Sequence, residues 1–447
     1  MKKITRKERR KLKNKAGNIF ERLGIIIKHT FPRLYEVMDT IIKDPRNKSY
    51  TTYDMRAILI TQILSFCCGI KSMNSMNDRF NSQESIDSIN ALLQTNYSEL
   101  PHKDTIMNVL KELNPIDLEK LQVSLIRTLI RSKVLDQFKY MGLWHIVIDG
   151  TQLYSTQDNL GPQAIKKTYN KGKDDEYTLY SYYALEAKLV CGNNVFSICT
   201  EFVENTIKTD ENGNTYRVFD KQDCETKAAY RILDKLHKYF PKLGIIIGGD
   251  ALYINQKIFD LCKKYHFEFI MRYKEDAASS IQKNFDEIKT EEDGYYYAND
   301  VIFGELKNGE FNTVNVISKT EYDEKSEKET EFKYVTSLTI NSNNKKEIFE
   351  IGRARWKIEN KGFNEQKTGI FDIEHIYTKN CNGTKCIYYL IQIASTFLTL
   401  LNCADCLIKA MNVTKKEVVN LLMIDLTSKS SNNLNFEQQI QLRFNPL

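Results

Sequence analysis

The chain has little histidine, six residues among 447, and no HExxH or comparable pair. A zinc hydrolase built on histidine ligands is therefore disfavoured. It also lacks the pattern of a secretory signal: the basic start runs into IFERLGIIIKHTFPR, which charge interrupts and no small-residue cleavage site follows, so export is not expected. A large excess of one charge is missing too. The formal net charge is only +6, too small by itself to imply a polyanionic partner. No internal repeat of about 20 to 50 residues is visible, which argues against a solenoid or propeller.

Long charge-free runs are scarce. Ile387 to Ala404 is uncharged over 18 residues, but Gln392, Ser395, Thr396, Thr399 and Asn402 recur through it, the pattern of a buried amphipathic helix rather than a membrane span. Ten cysteines without an export signal suggest reduced thiols in a cytoplasmic setting. Cys403 and Cys406 form a CxxC, with Cys381, Cys386 and His375 upstream, which invites a zinc reading. Zinc pairs usually sit on turns, whereas these cysteines follow an apolar helical pattern, so packing is the preferred reading.

With 42% hydrophobic residues the chain can bury a large core and divide into two or more domains. Between Met1 and Gly17 nine Lys or Arg face one acid, Glu8, a block that reads either as a phosphate-contacting arm or as a solvated tail. From about 18 to 140 the apolar spacing is helical, with Asp104 and Asp117 as expected N-caps. An all-helical N-terminal domain, 1–140 with the basic arm, is a reasonable DNA-binding unit or a scaffold that packs on the core.

From 141 the pattern turns to strands. LWHIVID, TLYSYYALEAKLV and NNVFSICTEFV are rich in β-branched and aromatic residues, the last two joined by the hairpin signal Cys191-Gly192-Asn193. Asp223 is expected to cap the helix CETKAAYRILDKLHKYF, and strand GIIIGG, helix INQKIFDLCKKYH and strand FEFIMRYK follow. The order βββαβαβ is that of an RNase H-like core. The fold expected is α/β: an RNase H-like catalytic core, 141–275 and 348–412, interrupted by a β-rich insertion, 276–347, with a peripheral segment at 413–447.

Three acids stand where such a core would gather them. Asp149 and Asp250 end the apolar runs HIVID and IIIGGD, and Glu359 lies on the helical pattern RARWKIENKGFNEQK. Phosphodiester chemistry needs an acidified nucleophilic oxygen and a neutralised leaving oxygen; two Mg²⁺ ions about 3.5–4 Å apart supply both and prefer carboxylate ligands. Taken singly each acid has an ordinary alternative. Asp425 follows LLMI in the same way on what reads as an amphipathic helix, and Glu359 could simply pair with Arg355 one turn earlier.

The segments IVIDGTQLYST, GGDALYINQKIFDLCKKYHFEFIMRYK and IGRARWKIENKGFNEQKTG resemble the three catalytic blocks of insertion-sequence DDE transposases, in the group with a β-rich insert between the second Asp and the Glu. LPHKDTIMNVLKEL resembles the helical stretch before the first block, and the likeness covers about 100 to 400. The resemblance implies a metal-binding catalytic triad of Asp149, Asp250 and Glu359, served by two Mg²⁺ with Mn²⁺ as a substitute. It implies DNA strand cleavage and strand transfer on double-stranded transposon ends and target, by a homodimer assembled on DNA, in the cytoplasm at the nucleoid.

That group carries a Tyr-Arg-Glu-Lys signature around the glutamate. Arg355 matches the Arg and is expected to hold phosphate. The Tyr position is Gly352 and the Lys position Gln366, with Lys367 one residue on. At about 100° per residue, an α-helix would place Lys367 about 80° round from Glu359, still a candidate DNA contact. Tyr253 and Trp356 are candidates to stack on unpaired bases, burial in the core being the alternative. Two rival functions stay open: a Mg²⁺-dependent nuclease of the same fold, and an inactive or repurposed DNA-binding protein.

Overall fold

A computed structural model describes residues 5–273, 279–305, 311–323, 327–428 and 434–444. The chain divides into two compact units, one of 1–137, 152–181 and 363–447, the other of 138–151 and 182–362.

The first unit is mainly helical. Eight α-helices run from Arg6–Ala16 to Pro115–Arg131. The expected caps fall elsewhere: His102 and Asn114 are the N-caps, accepting from the backbone N–H groups of Asp104 and Ile116, while Asp104 and Asp117 sit inside the first turns. There they complement the helix dipole without closing a cap. Helix Met55–Cys67 is buried from Ala57 to Cys67 and packs on helix Cys381–Thr399, which contains most of the uncharged run. With its π-helical extension to Ala404 that helix is long and apolar enough to cross a membrane, yet 83% of its most apolar window is buried inside the protein. Asp405 ends it and caps the next helix, Cys406–Met411, so Cys403 and Cys406 stand on separate elements. Asp425 is buried and accepts from Ile19 N at 2.5 Å, a structural duty at the start of another helix.

The strands are β1 Trp144–Thr156, β2 Ile165–Tyr169, β3 Tyr177–Cys191, β4 Asn194–Val203, β5 Ile207–Thr209, β6 Thr215–Arg217, β7 Ile245–Gly249, β8 Glu268–Tyr273, β9 Thr290–Glu292, β10 Tyr295–Glu305, β11 Phe311–Asp323 and β12 Lys328–Thr336. In the second unit β1, β3, β4 and β7 to β12 build one mixed sheet in the order β4-β3-β1-β7-β8-β12-β11-β10-β9, while β5 and β6 pair with each other in a separate two-stranded sheet. β1, β7 and β8 are parallel neighbours, and the continuous burial of Trp144–Ile148 and of all of β7 is what a strand covered on both faces requires. β3 and β4 form the expected antiparallel hairpin, closing at Cys191↔Asn194.

Helix Glu225–Tyr239 follows β6, but Cys224 occupies its N-cap without a side-chain bond. Asp223, one residue before the cap, instead takes the Arg231 guanidinium, with Nη2 at 2.7 Å, and accepts from Glu204 N. The insertion is not a separate body. β12 pairs antiparallel with β8, extending the sheet, and Ile246, Ile270, Ile317, Tyr334, Ile348 and Phe349 share one core. The insertion also holds helix Ser279–Ile288, which the sequence pattern did not reveal.

Candidate active site

Asp149 and Asp250 meet because of strand register. Trp144 to Val147 pair in parallel with Ile245 to Gly248, and continuing that register just past the end of β7 sets residue 149 opposite residue 250. Neighbouring strands lie about 4.8 Å apart, so Asp149, within β1, and Asp250, just past the end of β7, come to lie next to each other. Asp250 Oδ1 accepts from Leu252 N at 2.9 Å and so caps the 3₁₀ turn Ala251–Tyr253.

The Asp149 carboxyl is pushed up to about 7. Burial is the largest cause, the Arg355 guanidinium opposes it, and Asp250 and Glu225 raise it further. Arg355 Nη1 stands 3.7 Å from Asp149 Oδ2. Asp149, with Asp250 and Glu225 acting on it, offers hard oxygen donors of the kind a divalent cation such as Mg²⁺ prefers. Among the described residues no three His, Cys, Asp or Glu side chains are already gathered closely around one point.

Glu359 is exposed and has no ion-pair or hydrogen-bond partner among the described residues. The α-helix that leads to it ends at Arg353; i→i+3 bonds follow, Arg355 N to Gly352 O at 3.2 Å and Ile358 N to Arg355 O at 3.1 Å. The chain is then π-helical over Ile358–Phe363 and again over Glu365–Gly369. The 3.6-residue period therefore does not hold here, and Arg355 faces Asp149 rather than pairing with Glu359 one α-turn on. π-Helical segments are rare and are found often at functional sites.

The departures from the signature have local causes. A Cβ at Gly352 would lie 2.6 Å from the ring of Tyr334, so β12 already fills the space a tyrosine at 352 would need. Gln366 is buried, with Nε2 donating to Gln392 Oε1 at 2.8 Å, a place without room for an ammonium. Lys367 pairs with Glu374 at 2.9 Å. Trp356 is 41% exposed, leaving a face open, whereas Tyr253 is fully buried, the core alternative, and its hydroxyl donates to Glu225 Oε1 at 2.5 Å. Glu225 was missed from the sequence. An acid opening a helix reads as dipole complement, and only the glycine after Asp149 hinted at a close neighbour.

A mixed sheet that brings Asp149 of β1 next to Asp250, just past β7, presents carboxylate oxygens of the kind divalent cations prefer. Residues 141–397, more than half of the chain, match the family model described as transposase DDE domain, and residues 39–126 match the model described as DDE_Tnp_1-associated. The chain belongs to the DDE transposase family. Comparison with curated proteins gives no match. Among solved structures, a piggyBac transposase synaptic complex with hairpin DNA is similar at 13% identity and a TM-score of 0.39, over 91% of this chain and 77% of that one.

Proposed function

We propose that this transposase cleaves DNA at the ends of its own element and joins the freed 3′-hydroxyl to target DNA, with Asp149, Asp250 and Glu359 as its metal-binding triad. The observation that carries this is the side-by-side placement of Asp149 and Asp250 by the β1–β7 register. Two Mg²⁺ ions, or Mn²⁺ in their place, would acidify the attacking oxygen and neutralise the leaving one. The protein's own part is to hold the acids close enough for an ion to relieve their repulsion. Glu359, exposed on its π-helical segment, would complete the triad by turning its carboxylate toward that ion.

The order β1, β3, β4, helix, β7, helix, β8, with the short strands β2, β5 and β6 set between them, supports an RNase H-like description of the core. Arg355 and Trp356 would meet the DNA end, Arg355 gripping phosphate once an ion takes over Asp149, and Lys367 would add a phosphate contact. Helix Arg6–Ala16, whose seven Lys and Arg are all exposed, fits the backbone of double-stranded DNA. Cutting both ends of an element in one complex requires a second copy of the chain, and the setting is the nucleoid. The test is strand transfer with pre-cut ends and Mg²⁺: joined product supports the reading, whereas hydrolysis alone identifies a nuclease and DNA binding alone an inactive relative.

A further inference from the structure

We propose that Glu225 is a fourth carboxylate of the metal site, fixed beside Asp149 by Tyr253 and contributing to divalent-ion affinity. The inference rests on the reading of Asp149 and Asp250 as metal-binding residues.

Glu225 is the first residue of helix Glu225–Tyr239 and is half-buried. Two contacts fix its carboxylate. The Tyr253 hydroxyl donates to Oε1 at 2.5 Å, and Tyr253 is itself fully buried in the turn that Asp250 caps. The phenol thus ties the Glu225 helix to the segment carrying the second catalytic aspartate. On the other side, a Cβ at Gly150 would stand 2.5 Å from Glu225 Oε2 and 2.6 Å from Cδ. The carboxylate therefore fills space that exists only because the residue after Asp149 has no side chain.

An acid that merely complements a helix dipole needs neither contact, and its usual place is solvent. Glu225 instead is packed against the residue after Asp149, with no Lys or Arg paired to it among the described residues. With Oε1 engaged by the phenol, Oε2 is the oxygen nearest Gly150. Hard cations take such oxygens readily.

The experiment measures Mn²⁺ binding to the full chain by electron paramagnetic resonance of free Mn²⁺, with circular dichroism to confirm folding. Asp149→Ala is expected to abolish the site. Glu225→Gln, which keeps the shape and removes the charge, is expected to weaken Mn²⁺ binding about 10–100-fold, and Tyr253→Phe to weaken it about 10-fold by releasing the carboxylate. Wild-type affinity in Glu225→Gln with the site lost in Asp149→Ala would overturn the role of Glu225 alone. A site that survives Asp149→Ala would overturn both readings. Should Glu225→Gln fail to fold, unchanged affinity in Tyr253→Phe overturns the proposal.

Discussion

Arg355 presents its guanidinium to Asp149, Nη1 3.7 Å from Oδ2, within a site where burial lifts that carboxyl to about 7. Among the described residues, Arg355 is the cation acting on this carboxyl, and it opposes both burial and the neighbouring acids. Removing it leaves Asp149 with Asp250 and Glu225. Arg355→Ala is therefore expected to raise the pH midpoint of Mn²⁺ binding by about 1 pH unit, with Arg355→Lys shifting it less. A titration of Mn²⁺ affinity between pH 5 and 9 checks this; an unmoved midpoint would deny the electrostatic coupling.

The same raised carboxyl governs stability of the metal-free protein. Its ordinary value is 3.8 and its folded value about 7, so between these the folded state binds more protons than the unfolded chain. Stability contributed by this group then falls as pH rises through that window. Asp149→Asn should stabilise the metal-free protein at pH 8 by on the order of 1–3 kcal/mol, with the gain gone near pH 4. Denaturant melts at the two pH values measure it.

Gly352 is held small by Tyr334. Gly352→Ala pushes a methyl into the ring and should cost about 1–3 kcal/mol, and Gly352→Tyr should cost more. Combining Gly352→Tyr with Tyr334→Ala frees the space, so the double variant should be more stable than the sum of the single effects predicts. Urea denaturation of the four proteins gives that coupling directly.

Gln366→Lys would restore the signature residue in sequence but not in place. The site is buried and its amide is matched to Gln392, so an ammonium there leaves a charge without a partner. The expected outcome is a loss of about 2–5 kcal/mol of stability and no gain in DNA affinity, read by thermal melts and by gel shift.

Much of this was legible in the sequence where a residue's surroundings follow from its own element. The apolar runs before Asp149 and Asp250 announced strands, and Gly192 with Asn193 announced the hairpin. What failed depended on partners distant in sequence. Glu225 looked like any acid opening a helix, because its closeness to Gly150 comes from sheet and helix packing. The helical period through Arg355 and Glu359 gave no sign of π winding, since a π-helix uses the same residue types as an α-helix. Asp104, Asp117 and Asp223 were plausible caps displaced by a neighbouring His, Asn or Arg contact.

The central claim is that Asp149, Asp250 and Glu359 close on one metal site when the protein works. A crystal or cryo-cooled complex of the full chain with an end-sequence DNA and Mn²⁺, examined by anomalous scattering at the manganese edge, tests it most directly. Manganese is expected about 2.0–2.6 Å from oxygens of all three carboxylates. Manganese bound by Asp149 and Asp250 with Glu359 still in solvent, or manganese bound elsewhere, would contradict it.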